Sequence, residues 1–119
     1  MIYVRHMSRT QMQEPTFLIL AALAEGKKHG YALIGEASEM SEGRVQLRVG
    51  TLYAALDRLA KEGLVERAGD EVVDGRLRRF YELTPDGASA LEVEIRRMQV
   101  LTAGASRRLQ HRPIGMATA

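Results

Sequence analysis

Arg48, Gly50, Thr51 and Ala54 open a stretch, Val49 to Val65, whose apolar spacing is helical, and they carry groups suited to an anionic, grooved partner. The small side chains of Gly50 and Ala54 let another backbone come close. The Thr51 hydroxyl and the free N–H groups of a first helical turn can hold a phosphate oxygen. Thr51 is equally suited to cap the helix start. Arg48 before the helix and Arg58 within it can pair with phosphate or with the acceptor edge of guanine. A solvated surface arginine is the competing use of each. Tyr53 can pack its ring on a core and offer its hydroxyl to a phosphate, or serve the core alone.

Two further basic groups lie nearby in sequence. Arg76, Arg78 and Arg79 follow Asp74-Gly75, a hairpin-turn signal. Arginine on such a hairpin can grip phosphate or enter a minor groove, or merely blunt a strand edge. Asp70, Glu71 and Asp74 in the same hairpin oppose nucleic acid. Lys27, Lys28 and His29 form a short basic turn that either meets a phosphate backbone or stays solvated. Other chemistries are poorly provided for. The chain has no Cys, its three His (His6, His29, His111) are scattered, and no Gly-rich phosphate loop or nucleophile with a neighbouring base is present. The sequence therefore implies no enzyme activity, no cofactor and no metal site.

These residues need a frame, and the hydrophobic pattern supplies it. Pro15 starts a helix that Phe17, Leu18, Leu20, Ala21 and Leu23 continue to Glu25, with Gly26 ending it. Tyr31 to Met40 reads as a second helix with Tyr31, Ile34 and Ala37 inward, joined by Leu33 and Met40. Val45-Gln46-Leu47 reads as a very short strand or an extended approach. In the third helix Val49, Leu52, Leu56 and Leu59 share a face, and Gly63 stops it. Leu64 to Arg67 and Leu77 to Thr84 read as paired strands. Thr84 and Pro85 then start a last helix, to about Leu109, as N-cap and first residue. Leu91, Ile95, Met98, Thr102, Ala105 and Leu109 alternate three and four apart along it, a heptad-like seam. A small core has no room for that helix after the hairpin, so its seam calls for a second copy of the chain.

The bulk numbers agree with one small globular domain: 119 residues, 45% hydrophobic, 27% charged, net charge +2. No apolar run approaches the ~18 residues of a membrane span, and no secretory signal is visible, so the expected location is the cytoplasm. We divide the chain into residues 1–11, a flexible arm or cloning remnant; 12–84, a winged helix domain; 85–110, a dimerisation helix; and 111–119, a frayed tail. The fold class is α+β, mainly α: a winged helix-turn-helix with a long C-terminal helix.

HGYALIGE at 29–36, GTLYAALDRLAKEGLVE at 50–66 and RRFYELTPDGASALE at 78–92 together resemble PadR-family transcriptional regulators of the short type. The resemblance covers about residues 14 to 110. It implies a dimeric DNA-binding repressor: double-stranded DNA with a pseudo-palindromic operator as partner, a homodimer, and room for a small-molecule effector of unknown identity. Multidrug-binding members of that family stack flat ligands on interface tryptophan. This chain has no Trp, which weighs against a drug-sensing role. The rival reading from another class is a winged helix that binds protein and not DNA.

Overall fold

The structure is a computed structural model and describes residues 12–113. Helix α1 spans Glu14–Leu23, strand β1 Lys28–His29, helix α2 Gly30–Met40, helix α3 Val49–Lys61, strand β2 Val65–Val73, strand β3 Arg76–Leu83, and helix α4 Pro85–Gln110. The expected arm at 1–11 and most of the expected tail lie outside the described residues; His111 is the C-cap of α4.

The core gathers one stripe from each element. Ile19, Leu20 and Leu23 of α1, Leu33 of α2, Leu52, Leu56 and Leu59 of α3, Val65 and Tyr81 of the hairpin, and Leu91 of α4 form one buried cluster. Helical spacing in α3 thus produces the wedge that α1 and α2 close over. Val49 departs from that stripe and is exposed, because it opens the helix before the chain has reached the core. In α2 Leu33 and Ala37 are buried and Ile34 packs partly buried against the core. Tyr31 and Met40 face out, since the Leu33 phase, not the Tyr31 phase, meets α1.

A three-stranded antiparallel sheet has the order β1-β3-β2. Its first strand is at Lys28–His29, read above as a turn; of the two readings of Val45–Leu47 the strand fails and the irregular approach to α3 stands. Lys28 pairs with Tyr81 and His29 with Phe80. Two residues show almost no strand period, so only tertiary pairing reveals them. The hairpin is longer than expected. The ladder breaks between Arg67 and Asp70, where Gly69 takes a positive φ of 86°, and resumes to pair Val73 with Arg76. Such a bulge lets the strand pass residues of poor strand propensity. At the tip Asp74 and Gly75 both have positive φ, as the sequence pair demands.

The root of α4 is tightly built. Thr84 accepts from the Gly87 N–H at 3.0 Å and its hydroxyl donates to the Gly63 carbonyl at 2.6 Å. Gly87 is required there: a Cβ would stand 2.0 Å from the Leu64 carbonyl oxygen. Beyond this root α4 buries Leu91 and Glu94 and no later residue. Among the described residues no helix is long and apolar enough to cross a membrane.

Candidate nucleic-acid interface

Helix α3 presents its front to solvent. Arg48 occupies the N-cap position without a side-chain hydrogen bond to the helix, and the first intrahelical acceptor bond closes from Leu52 to the Arg48 carbonyl. The N–H groups of Val49, Gly50 and Thr51 therefore lack helical partners and lie at the positive end of the helix dipole. Thr51 is the third helical residue and not the cap, so the capping alternative is removed. Gly50, Thr51 and Ala54 are all exposed, and a Cβ placed on Gly50 would meet no atom within 4 Å. The result is a low-relief, donor-rich helix end beside one exposed arginine.

Tyr53 is half-buried and turned to the protein. Its hydroxyl lies against Gly30, where a Cβ would come within 2.5 Å of it, and its ring is 6.4 Å from that of Tyr81. It locks α3 to the start of α2. Arg58 is likewise engaged within the chain: it donates to Thr16 Oγ1 at 2.9 Å and pairs with Glu62 at 3.6 Å. Lys28 is largely covered and held between Glu25 at 3.0 Å and Glu36 at 3.2 Å. The hydrogen bond to Glu25 raises its pKa most, burial opposes, and Glu36 adds to the rise. His29 caps α2, with Nδ1 3.4 Å from the Ala32 nitrogen, and its ring meets Phe80 edge-on at 5.3 Å. These four residues position elements more directly than they face a partner.

The wing arginines divide by strand alternation. Arg76 is exposed beside the turn. Arg78 and Phe80 share one face of β3, and Arg79 and Tyr81 share the other. The Tyr81 phenol beside Arg79 raises its pKa most, burial opposes, and Asp70 and Tyr53 add less. Two of the three acidic residues that oppose nucleic acid have cationic partners: Glu71 pairs with Lys27, and Asp70 with Arg67 at 3.1 Å. Arg78 stacks on the ring of Tyr31, 4.5 Å from its centroid. Tyr31 escaped sequence reasoning because its helical phase suggested the core. The signal was the β1–β3 pairing, unseen from sequence: α2 starts directly after the His29–Phe80 pair and brings the Tyr31 ring to Arg78.

A second surface lies along α4. Of the seam residues, Leu91 is only 6% exposed and belongs to the chain's own core, whereas Ile95 is 37% and Leu109 65% exposed. Thr102 and Ala105 are also exposed, and Met98 is half-buried. Leu101, outside the heptad reading, adds a large exposed side chain on the flank of this stripe. Phe17 of α1 with Ile95, Met98, Gln99, Thr102 and Ala103 lines an open apolar groove of about 410 Å³.

A model of the transcriptional regulator PadR-like family matches residues 19–93. A transcriptional regulator of Mycobacterium tuberculosis is 39% identical over 83 residues, spanning 70% of this chain and 74% of that protein. A PadR family transcription regulator from Clostridium difficile has a similar structure, with TM-score 0.66 and 26% identity over 82% of this chain and 99% of the other. Bacillus subtilis PadR, solved in complex with operator DNA, shares the fold at TM-score 0.61 and 20% identity, over 70% of this chain and 47% of that one.

Proposed function

The chain belongs to the PadR-like family of transcriptional regulators, and we propose that it acts as a homodimeric repressor that reads a pseudo-palindromic operator with α3. The observation that carries the reading is the exposed, uncapped front of α3, where Gly50, Thr51 and Ala54 leave room for a groove wall and Arg48 supplies charge. A helix offered in this way fits the major groove with its first turn toward phosphate and base edges. The operator complex of Bacillus subtilis PadR, which has the same fold, supports DNA as the partner.

In this mechanism two copies join along Ile95, Met98, Leu101, Thr102, Ala105 and Leu109, which a single chain leaves wholly or partly uncovered. The joined helices hold two α3 helices at a spacing suited to half-sites about one helical turn apart. Arg48, Arg76 and Arg78 contribute salt-sensitive phosphate contacts. Lys28, His29, Tyr53 and Arg58 act behind them, holding β1, α2 and α3 in place. A small-molecule effector regulates such a device only by binding two arrangements of the paired domains unequally.

Thr51→Glu separates binding from folding. A carboxylate at the third helical position suits the dipole and leaves the helix at least as stable, yet it repels phosphate. Gel-shift titration on the duplex upstream of the chain's own gene, at fixed salt, should show operator affinity reduced by about tenfold or more for Thr51→Glu and about threefold for Arg48→Ala. Undiminished binding by both variants removes α3 from the interface.

A further inference from the structure

Face alternation places Phe80 and Arg78 on one side of β3; the β1 pairing sets His29 beside Phe80, and the start of α2 that follows brings the Tyr31 ring to Arg78. Aromatic and cationic groups therefore follow one another along this side. Lys27 Nζ stands 5.4 Å over the Phe80 ring and also pairs with Glu71. Glu71 is the cross-strand partner of Arg78. In that register Glu71 would be the natural counter-ion of Arg78, but Lys27 occupies it. Arg78 is left without a hydrogen bond or ion pair among the described residues, and of its guanidinium nitrogens only Nε is both buried and unpartnered. The residue as a whole is only partly covered. Tyr31, 55% exposed, lies under this guanidinium as a platform.

We propose that Tyr31 is a positioning residue that holds Arg78 for a phosphate contact on duplex DNA, with Lys27 keeping Glu71 from neutralising it. The inference rests on the DNA-binding reading above. A guanidinium stacked on a ring gives up little further rotamer freedom when it meets an anion, and its planar fork stays free along one edge. A lysine at position 78 could not use the platform in this way. An aromatic without the hydroxyl could, so the ring, and not the phenol, is the active part of Tyr31.

The test uses the full chain, a mixed-sequence duplex long enough for two half-sites, and fluorescence anisotropy over a series of KCl concentrations. Arg78→Ala should weaken binding about fivefold and lower the slope of log affinity against log salt by about one. Tyr31→Leu should reproduce most of both effects, Tyr31→Phe should bind like the parent chain, and Tyr31→Leu should add nothing on an Arg78→Ala background. Arg78→Lys should lose part of the affinity despite its retained charge. Circular dichroism monitors folding of each variant; Tyr31→Phe and Arg78→Lys are mild enough to decide the matter if Tyr31→Leu unfolds. An equal loss from Tyr31→Leu with or without Arg78, or a weakened Tyr31→Phe, overturns the positioning role. An unchanged salt slope for Arg78→Ala overturns the phosphate contact while leaving α3 as reader. Absence of salt-dependent binding by the parent chain overturns the DNA reading itself, and this inference with it.

Discussion

Helices α3 and α4 carry apolar residues at the same three- and four-residue spacing, yet they end in different surroundings. In α3 the stripe Leu52, Leu56, Leu59 is wholly buried by α1, α2 and the hairpin. In α4 the corresponding stripe begins in the same core at Leu91 and then runs out of protein, leaving Leu109, and Leu101 on its flank, more than half exposed. Periodicity defines a face; it does not say what covers it. One stripe is satisfied within the chain and stabilises the domain at any concentration. The other is left open, so whatever it contributes must depend on concentration or on a partner.

Leu56→Ala tests the closed side of this contrast with the largest effect. Removing that fully buried side chain should cost about 2–5 kcal/mol in urea unfolding, because the wedge of α3 has no room to collapse. The cost should be the same in dilute and concentrated protein. Ile95→Asp probes the open side. It should leave domain unfolding of dilute protein nearly unchanged while weakening self-association by about tenfold or more in sedimentation equilibrium. A dimer of unchanged affinity would remove the contrast between the two helices.

Thr84→Ala examines the joint between the regions. The side chain caps α4 and holds the Gly63 carbonyl, so its loss should cost about 1 kcal/mol in thermal or urea unfolding and increase amide exchange in the first turn of α4. The smallest effect is electrostatic. Glu66 and Glu82 are cross-strand partners, and the hydrogen bond to Glu82, with lesser help from burial and repulsion, raises the Glu66 pKa. A carboxyl raised in the folded state binds its proton more firmly there than in the unfolded chain. Stability from this pair is thus present at low pH and lost as pH rises through the raised value. Glu82→Gln should raise the melting temperature by about 1–2 °C at about pH 7 and give no gain near pH 4.

Much of this molecule was legible in its residues. The α3 boundaries followed from a stripe of leucines and Gly63, the wing turn from Asp74-Gly75, and the start of α4 from Thr84-Pro85, because caps and tight turns depend on neighbours in the chain. The exposed residues at the front of α3 were named for the same reason: a helix with one apolar stripe must turn its small residues outward. Other readings depended on distant pairing. Tyr31 reads as core until the fold sets it beside Arg78, Lys28 and Arg58 read as free for phosphate or solvent until Glu25 with Glu36, and Thr16, are brought to them, and only the approach of Gly30 shows where the Tyr53 hydroxyl lies. The long reach of β2 was hidden because a bulge at Gly69 breaks the two-residue alternation.

The sequence by itself determined the extent and apolar face of α3, the turn of the hairpin and the start of α4, since backbone dihedrals, caps and periodicity act over a few residues. Only the tertiary structure decided which cations are already paired, which aromatic rings are platforms and which stripe remains uncovered. Those outcomes depend on contacts between residues far apart in the chain, such as Lys27 with Glu71 and Arg58 with Thr16, and no local pattern encodes the distance between them.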